Sequence, residues 1–144
     1  MLGLIQRVSE AQVAVSNEII GKINSGLLLL LGVQKDDVER NVSRMLNKVV
    51  NYRVFSDDKG HMNLSLLDVR GELLVVPQFT IAADTKKGLR PSFSTAASPS
   101  QAQALYDLFV LQARNLCPIQ AGVFGADMKV SLINDGPVTF MLSS

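Results

Sequence analysis

The sequence of 144 residues is 47% hydrophobic and 19% charged, an ordinary globular balance that excludes extended disorder and predicts one domain, residues 1–144. With 14 Lys and Arg against 13 Asp and Glu, the net charge is +1, so a nucleic acid would have to bind a local basic patch. The single cysteine, Cys117, excludes an intrachain disulfide, and with only one histidine a structural Cys/His zinc site is excluded too. We assign no metal ligand and no cofactor.

The sequence also lacks the patterns of membrane insertion and export. Its longest apolar run, Leu27–Leu31, is far shorter than the ~20 residues that span a bilayer. The first residues, Met1–Arg7, lack the basic-then-apolar order of a signal peptide. We therefore expect a cytoplasmic protein without a membrane partner.

Strands are predicted throughout the first part of the chain. Leu2–Val8 is predicted to be one strand, and Val13–Val15 and Glu18–Ile23 to form a hairpin that turns at Ser16-Asn17. Gly26–Val33 is apolar without interruption, which indicates a central strand buried on both faces.

Two stretches have the periodicity of amphipathic helices. The first follows Asp36 or Asp37 as the N-cap, and the second follows Ser98 as the cap with Pro99 at the first helical position. Their apolar stripes are Val38, Val42, Met45, Leu46, Val49 and Val50 in the first helix and Ala102, Leu105, Tyr106, Phe109 and Ala113 in the second.

The remaining elements are strands separated by turns. Arg53–Phe55, Glu72–Val76, Asp127–Asn134 and Val138–Leu142 are the predicted segments. The order of elements predicts an α+β fold. We expect a single domain with a curved, largely antiparallel sheet or partial barrel and two amphipathic helices.

The first candidate for chemistry is Pro77-Gln78-Phe79-Thr80, at the end of a buried strand. Thr80 is a weak nucleophile without a base, and the only histidine, His61, lies in a polar turn. Pro77 has no N–H group, so the available donors are the backbone amides of Gln78, Phe79 and Thr80. Successive amides can form an oxyanion hole, in which one donor is typically worth ~2.7–4 kcal/mol of barrier.

The second candidate is Gly136-Pro137, between two apolar strands. Glycine before proline permits a close backbone approach that a side chain would block. Only ~5–6% of X-Pro bonds in folded proteins are cis. In the cis form, the flanking carbonyls could make a rigid acceptor pair for an ammonium group.

Several motifs, in order along the chain, make the sequence resemble the D-aminoacyl-tRNA deacylase family over essentially its whole length. They are Ile5–Val8, Gly26–Leu28 with Leu31–Val33, Met62–Ser65, Gln78–Thr80, Lys87-Gly88 with Arg90–Phe93, Gly125–Met128 and Asn134–Thr139. The chain departs from the family pattern at Pro77, where serine is usual, so a role for that hydroxyl or that amide is in doubt. By resemblance, the vicinal ribose hydroxyl of tRNA assists the attacking water, and this mechanism needs neither group.

The resemblance implies a homodimer that hydrolyses the ester between a D-amino acid, or glycine, and the terminal adenosine of tRNA, while sparing L-aminoacyl-tRNA. In such a dimer, Gly136 and Pro137 of one subunit would enter the pocket of the other. Their carbonyls would hold the α-amino group, and the loop, braced by Arg7, would exclude an L side chain. The amides around Gln78, Phe79 and Thr80 would face the ester carbonyl.

The resemblance also assigns contacts to the RNA. Phe124, Met128 and Ala102 match positions that line the adenine pocket of the family. Apart from the resemblance, the local positive charge of Lys86, Lys87 and Arg90 leads us to expect that they contact the acceptor-stem phosphates.

Two alternative hypotheses stay open at this point. None of the hypotheses includes a DNA partner. Thr80 could be a covalent nucleophile acting on the same substrate. Alternatively, the chain could be a non-catalytic dimer that only binds tRNA ends.

Overall fold

The computed structural model describes all residues, 1–144, and consists of a strongly bent six-stranded sheet, a small two-stranded ribbon and two helices. The strands are β1 (Leu2–Val15), β2 (Glu18–Ile23), β3 (Gly26–Gly32), β4 (Phe55–Ser56), β5 (Met62–Leu64), β6 (Glu72–Pro77), β7 (Ile119–Ala121) and β8 (Met128–Ser143). The helices are α1 (Glu39–Asn51), α2 (Pro99–Ala113) and a short 3-10 helix, Phe79–Ala82.

The long strand β1 organises the sheet. On one edge its first half pairs with β3 and its second half with β2, and on the other edge it pairs with β8 over nearly its whole length, all antiparallel. Beyond β3 the order continues through β6 to β7.

The expectation of a largely antiparallel sheet needs correction, because β3–β6 and β6–β7 are parallel pairs and the sheet is mixed. Parallel neighbours require a crossover connection, usually helical. Helix α1 lies in the connection from β3 to β6, and α2 lies in the connection from β6 to β7. Both helices were predicted from the sequence, but which strands pair across them depends on contacts between distant residues, and the order of elements was wrongly interpreted as a largely antiparallel sheet.

Two predicted boundaries are also wrong, because pairs of predicted strands merge. Leu2–Val8 and Val13–Val15 belong to the single strand β1, and Asp127–Asn134 and Val138–Leu142 fall within β8, which begins at Met128. Irregularities in the β1–β8 register allow each strand to bend without ending.

The cap of α1 differs from the prediction as well. Val38 was predicted to begin the apolar stripe, but it is the exposed N-cap, and its amide donates to Asn41 Oδ1 at 3.0 Å. The carboxylate of Asp37 instead accepts from the Met1 ammonium group at 2.5 Å and from the Gln34 amide at 2.7 Å. The cap of α2 is as predicted, since Ser98 Oγ accepts from the amide of Gln101 at 3.4 Å and Pro99 is the first helical residue.

Strands β3 and β6 are buried on both faces, as the apolar run predicted. Leu27, Leu29 and Leu31 pack into the cluster that includes α1 and α2. Leu28 faces a second cluster on the opposite side of the sheet, formed with Val8, Ala11, Val13, Ile23, Leu74 and Val76. Because β2 lies across this second face, against β6 and β7, the sheet is nearly closed.

Neither α1 nor α2 is long and apolar enough to cross a membrane.

Candidate active site

Two backbone donors are displayed where β6 ends and the 3-10 helix begins. The amide of Gln78 donates to the Leu31 carbonyl at 2.8 Å, which joins the end of β6 to β3. Inside the helix, Ile81 donates back to the Gln78 carbonyl at 3.4 Å. Phe79 and Thr80 precede it in the first turn, where N–H groups have no intrahelical partner. The predicted run of three free amides is therefore reduced to two, because the fold uses the Gln78 amide.

The Thr80 hydroxyl has an amide neighbour and no base. Gln78 Nε2 donates to Thr80 Oγ1 at 2.5 Å. An amide N–H group cannot accept the hydroxyl proton, so this contact positions the oxygen and does not activate it.

The second candidate, Gly136-Pro137, lies in a bulge of β8. Gln6 of β1 pairs with Thr139 and Val8 pairs with Asn134, so the four residues Asp135–Val138 lie opposite one residue, Arg7. The Gly136–Pro137 peptide bond is cis, and both residues are exposed.

Side chains fix the bulge from both sides. Arg7 donates from Nε to the Asp135 carbonyl at 2.9 Å and from Nη1 to the Val54 carbonyl at 2.6 Å. Asn134 accepts from the Val138 amide at 2.7 Å and donates to Thr139 Oγ1 at 2.9 Å. The bracing by Arg7 was predicted, whereas the roles of Asn134 and of the Val54 carbonyl were not. The only signal in the sequence for these roles is Asn134, the first residue of the motif Asn134–Thr139.

Only glycine fits at position 136. Its φ is +144°, and a Cβ atom there would lie 2.6 Å from Val138 Cγ2 and 3.1 Å from Arg7 Nη2. The missing side chain thus allows the guanidinium group to lie directly against the backbone of the bulge.

An apolar cleft of about 280 Å³ lies beside the two free amides. Phe79, Ala102 and Phe124 line it, together with Pro77, Ala97, Pro99 and Gly125. The structure thus brings the predicted Ala102 and Phe124 together with Phe79. Pro77 contributes an apolar ring to the wall at the place where the resembling family usually has serine.

Met128, the third predicted pocket residue, is not among the residues that line the cleft, and it packs against the second core cluster. Its Sδ and Pro77 Cδ lie 2.8 Å and 3.2 Å from the point where a Cβ of Gly122 would be, so glycine permits their approach.

Tyr106 supports the same region through its hydroxyl and its ring. Its hydroxyl lies 2.8 Å from the Gly122 carbonyl and 3.1 Å from the Val75 carbonyl, and its ring packs against Phe124. Burial, with a smaller effect of the Asp107 charge, raises the pKa of Tyr106 well above its usual value.

The two halves of the candidate site lie far apart within one chain. The Gln78 amide is hydrogen-bonded to the Leu31 carbonyl, and Leu31 pairs with Gly3 of β1. The bulge, in contrast, lies opposite Arg7 of β1. The step of four positions from Gly3 to Arg7 corresponds to about 13 Å along β1. The halves are also separated across the sheet, from β8 through β1 and β3 to β6. One copy of the chain therefore does not bring Pro137 to the free amides.

The basic residues Lys86, Lys87 and Arg90 are exposed in a loop that follows the 3-10 helix. Asp84 and Ser92 close the loop by two backbone hydrogen bonds of 2.7 Å and 3.1 Å.

Other reactive side chains lie outside this region. His61 is exposed in a turn held by the Asp57 carboxylate, which accepts from the His61 amide at 3.0 Å. Burial raises the pKa of the Cys117 thiol, which makes it a poor nucleophile. No group of three or more His, Cys, Asp or Glu side chains is placed to hold a metal ion.

Comparisons with known proteins agree on one family. The family model described as D-Tyr-tRNA(Tyr) deacylase matches residues 4–143. A D-aminoacyl-tRNA deacylase of Pseudoalteromonas translucida (strain TAC 125) is 59% identical over 144 residues, which cover 99% of each chain.

Solved structures agree on the fold. One described as c-Myc DNA Unwinding Element Binding Protein has a TM-score of 0.95 and 39% identity, covering 100% of this chain and 99% of its own. Another, of a probable eukaryotic D-amino acid tRNA deacylase, has a TM-score of 0.86 at 16% identity, covering 99% of this chain and 98% of its own. At that identity the likeness concerns the fold alone.

Proposed function

Because the chain belongs to the D-Tyr-tRNA(Tyr) deacylase family and is a D-aminoacyl-tRNA deacylase, a hydrolase of the aminoacyl-tRNA ester, we propose how its residues perform that reaction. Two copies of the chain form a homodimer in which Gly136 and Pro137 of one copy complete the pocket beside Phe79 and Thr80 of the other. The observation that carries this proposal is the separation of the two halves in one chain. Each half is exposed and held by its own hydrogen bonds.

The terminal adenosine of the tRNA occupies the apolar cleft lined by Ala102 and Phe124, and Met128 supports the adenine from beside Pro77. This places the ester next to the amides of Phe79 and Thr80. A cleft with mostly apolar walls and a few convergent polar groups is typical of small-ligand sites. The exposed cations Lys86, Lys87 and Arg90 contact the acceptor-stem phosphates.

Water attacks the ester carbonyl, and the carbonyl oxygen becomes negative as the tetrahedral intermediate forms. The amides of Phe79 and Thr80 donate to that oxygen, since preorganised donors act on charge that develops during the reaction. The ester C–O bond then breaks and the D-amino acid is released. The vicinal ribose hydroxyl relays a proton from the attacking water to the departing ribose oxygen. No protein base is required, which fits a site without a histidine or a carboxylate next to Thr80.

Selectivity is based on steric rejection by the backbone. The carbonyls of Gly136 and Pro137 hold the α-ammonium group, and the rigid bulge leaves no space on the side where an L residue carries its Cβ. Rejection of this kind works for every L side chain, because all of them branch in the same direction. Glycine has no Cβ, so glycyl-tRNA is also a substrate. We place this reaction in the cytoplasm, where the substrate is made.

The experiment that tests the proposal compares hydrolysis of D-tyrosyl-tRNA, L-tyrosyl-tRNA and glycyl-tRNA side by side. We expect turnover of the D and glycyl esters and none of the L ester above background. Comparable turnover of the L ester would contradict the steric filter. Salt-sensitive tRNA binding without release of D-tyrosine would instead support the non-catalytic alternative.

A mixing experiment tests the shared site. Gly136→Ala damages the bulge half, and Thr80→Pro removes an amide from the other half, so each variant alone is expected to be nearly inactive. After unfolding and refolding together, the mixture should regain about a quarter of the wild-type rate, because half of random dimers are heterodimers with one intact site. A mixture as inactive as its components would contradict a site built from two copies.

A further inference from the structure

Two large aromatic side chains are exposed together at the mouth of the cleft. Phe79 is 56% exposed and Phe93 is 41% exposed. Their ring centroids are 5.1 Å apart with an angle of 53° between the planes. A tilted pair leaves ring faces uncovered, and a paired, exposed aromatic surface beside a functional cleft is typical of a binding site.

Hydrogen bonds on both sides hold the Phe93 segment in place. The preceding residue, Ser92, pairs with Asp84, and the Ala96 amide donates to the Phe93 carbonyl at 3.1 Å. The Ala97 amide donates to the Val33 carbonyl at 3.0 Å, which ties the segment to the end of β3. Because the ring is positioned in advance, a ligand stacked on it would lose little free energy to ordering the protein.

The charges around the pair favour an anionic partner. Lys86, Lys87 and Arg90 lie in the loop between Asp84 and Ser92, directly before Phe93, and all three are exposed. Cations beside exposed aromatic rings are the features that bind single-stranded nucleic acid, with phosphates on the cations and bases stacked on the rings.

Resting on the proposed function, we propose that Phe93, packed against Phe79, is the stacking surface for the base that precedes the terminal adenosine of the tRNA. The apolar cleft takes the adenosine alone, and Phe79 lines both the cleft and the aromatic pair. The single-stranded 3′ end therefore leaves the cleft across Phe93, with its next phosphates directed to the basic loop.

The test uses two forms of D-tyrosyl-tRNA, one intact and one whose penultimate nucleotide lacks its base. Stacking of one base on an aromatic ring is worth enough to change kcat/KM by at least about fivefold. We expect the kcat/KM of the wild type to be lower by at least about fivefold on the baseless substrate than on the intact one. Phe93→Ala should lose a similar factor on the intact substrate and nothing more on the baseless one, because both changes remove the same contact.

Further variants separate stacking from simple loss of apolar surface. Phe93→Tyr should retain the preference for the intact substrate, whereas Phe93→Leu should lose it, since leucine has no aromatic face. Leu111→Ala is the matched control, because Leu111 is an apolar side chain 60% exposed on α2 and lies outside the aromatic pair. The control should retain the wild-type preference.

Three results would overturn the proposal. One is a wild type that hydrolyses both substrates equally well, and another is a Phe93→Ala variant that loses activity equally on both. The third is a Phe93→Ala variant that is monomeric by light scattering where the wild type is dimeric, which would make Phe93 a subunit contact. A wild type that hydrolyses no D-tyrosyl-tRNA at all would refute the proposed function itself, so the two failures are distinguishable.

Discussion

Arg7 donates from Nε to the Asp135 carbonyl at 2.9 Å, linking residues 128 positions apart in the sequence. The same guanidinium group reaches the carbonyl of Val54 at 2.6 Å. One side chain therefore ties the β8 bulge to β1 and to the segment before β4.

Replacement of Arg7 should loosen the bulge and weaken selectivity. A lysine presents a single ammonium group and cannot reproduce the planar fork that reaches two carbonyls. We expect Arg7→Lys to lower the ratio of D-tyrosyl-tRNA to L-tyrosyl-tRNA hydrolysis by roughly tenfold, which corresponds to about 1.4 kcal/mol. The comparison is with Arg40→Lys, an exposed position on α1. An unchanged ratio in Arg7→Lys would mean that the bulge is rigid without this side chain.

Gly136→Ala should reduce both stability and activity. The alanine would have to adopt a φ near +144°, and its Cβ would lie 2.6 Å from Val138 Cγ2, so the bulge must shift. Backbone strain of this kind costs about 1–3 kcal/mol. We expect a loss of that size in urea-monitored unfolding and a marked loss of D-tyrosyl-tRNA hydrolysis.

The matched control for Gly136→Ala is Gly60→Ala. Gly60 also has a positive φ, +79°, but a Cβ there meets nothing within 4 Å. This control should lose some stability and retain full activity. Equal activity losses in the two variants would argue against a specific role for the bulge.

Two substitutions at Thr80 separate the hydroxyl from the amide. Thr80→Ala removes the hydroxyl and the γ-methyl group but keeps the amide, and without a base next to the hydroxyl we expect less than about tenfold loss of kcat. Thr80→Pro also removes the amide, at a first-turn helical position that tolerates proline. The loss of one oxyanion donor should cost about 10²–10³ in kcat. Near-complete loss in Thr80→Ala would favour the covalent nucleophile, provided circular dichroism shows that both variants are folded.

Tyr106→Phe should destabilise the support of the cleft. The hydroxyl donates to the buried Gly122 carbonyl at 2.8 Å, and leaving that carbonyl unpaired costs about 1–3 kcal/mol, whereas the Val75 carbonyl keeps the hydrogen bond from the Gly122 amide at 2.8 Å. We expect this decrease in the free energy of unfolding at neutral pH. Tyr52→Phe, whose ring packs edge-on against Phe140, is the control and should change it little.

The effect of Tyr106→Phe should depend on pH at the alkaline end. Because the folded state raises the pKa of Tyr106 above its ordinary value of 10.0, the unfolded chain ionises first. The stabilisation is therefore fully present below pH 10 and decreases as the pH rises beyond it. The difference in unfolding free energy between wild type and Tyr106→Phe should narrow above about pH 10. A constant difference up to pH 11 would contradict the raised pKa.

The sequence by itself determined the elements whose signals are local. The apolar periods of α1 and α2, the Ser98 cap with Pro99, and the unbroken apolar run of β3 all depend on neighbouring residues, and all were predicted from them. Motifs likewise singled out Gln78–Thr80 and Gly136-Pro137, because short patterns of unusual residues can be read without the fold.

Only the tertiary structure decided how those segments are used. The parallel pairing of β3, β6 and β7 depends on long crossovers, and the merging of the β1 and β8 segments depends on their mutual register. The Gln78 amide is occupied because Leu31 lies opposite it, and Phe93 meets Phe79 because the basic loop folds back. Contacts between residues distant in sequence leave no local pattern. For the same reason, the separation of the two half-sites along β1 became visible only in the folded chain.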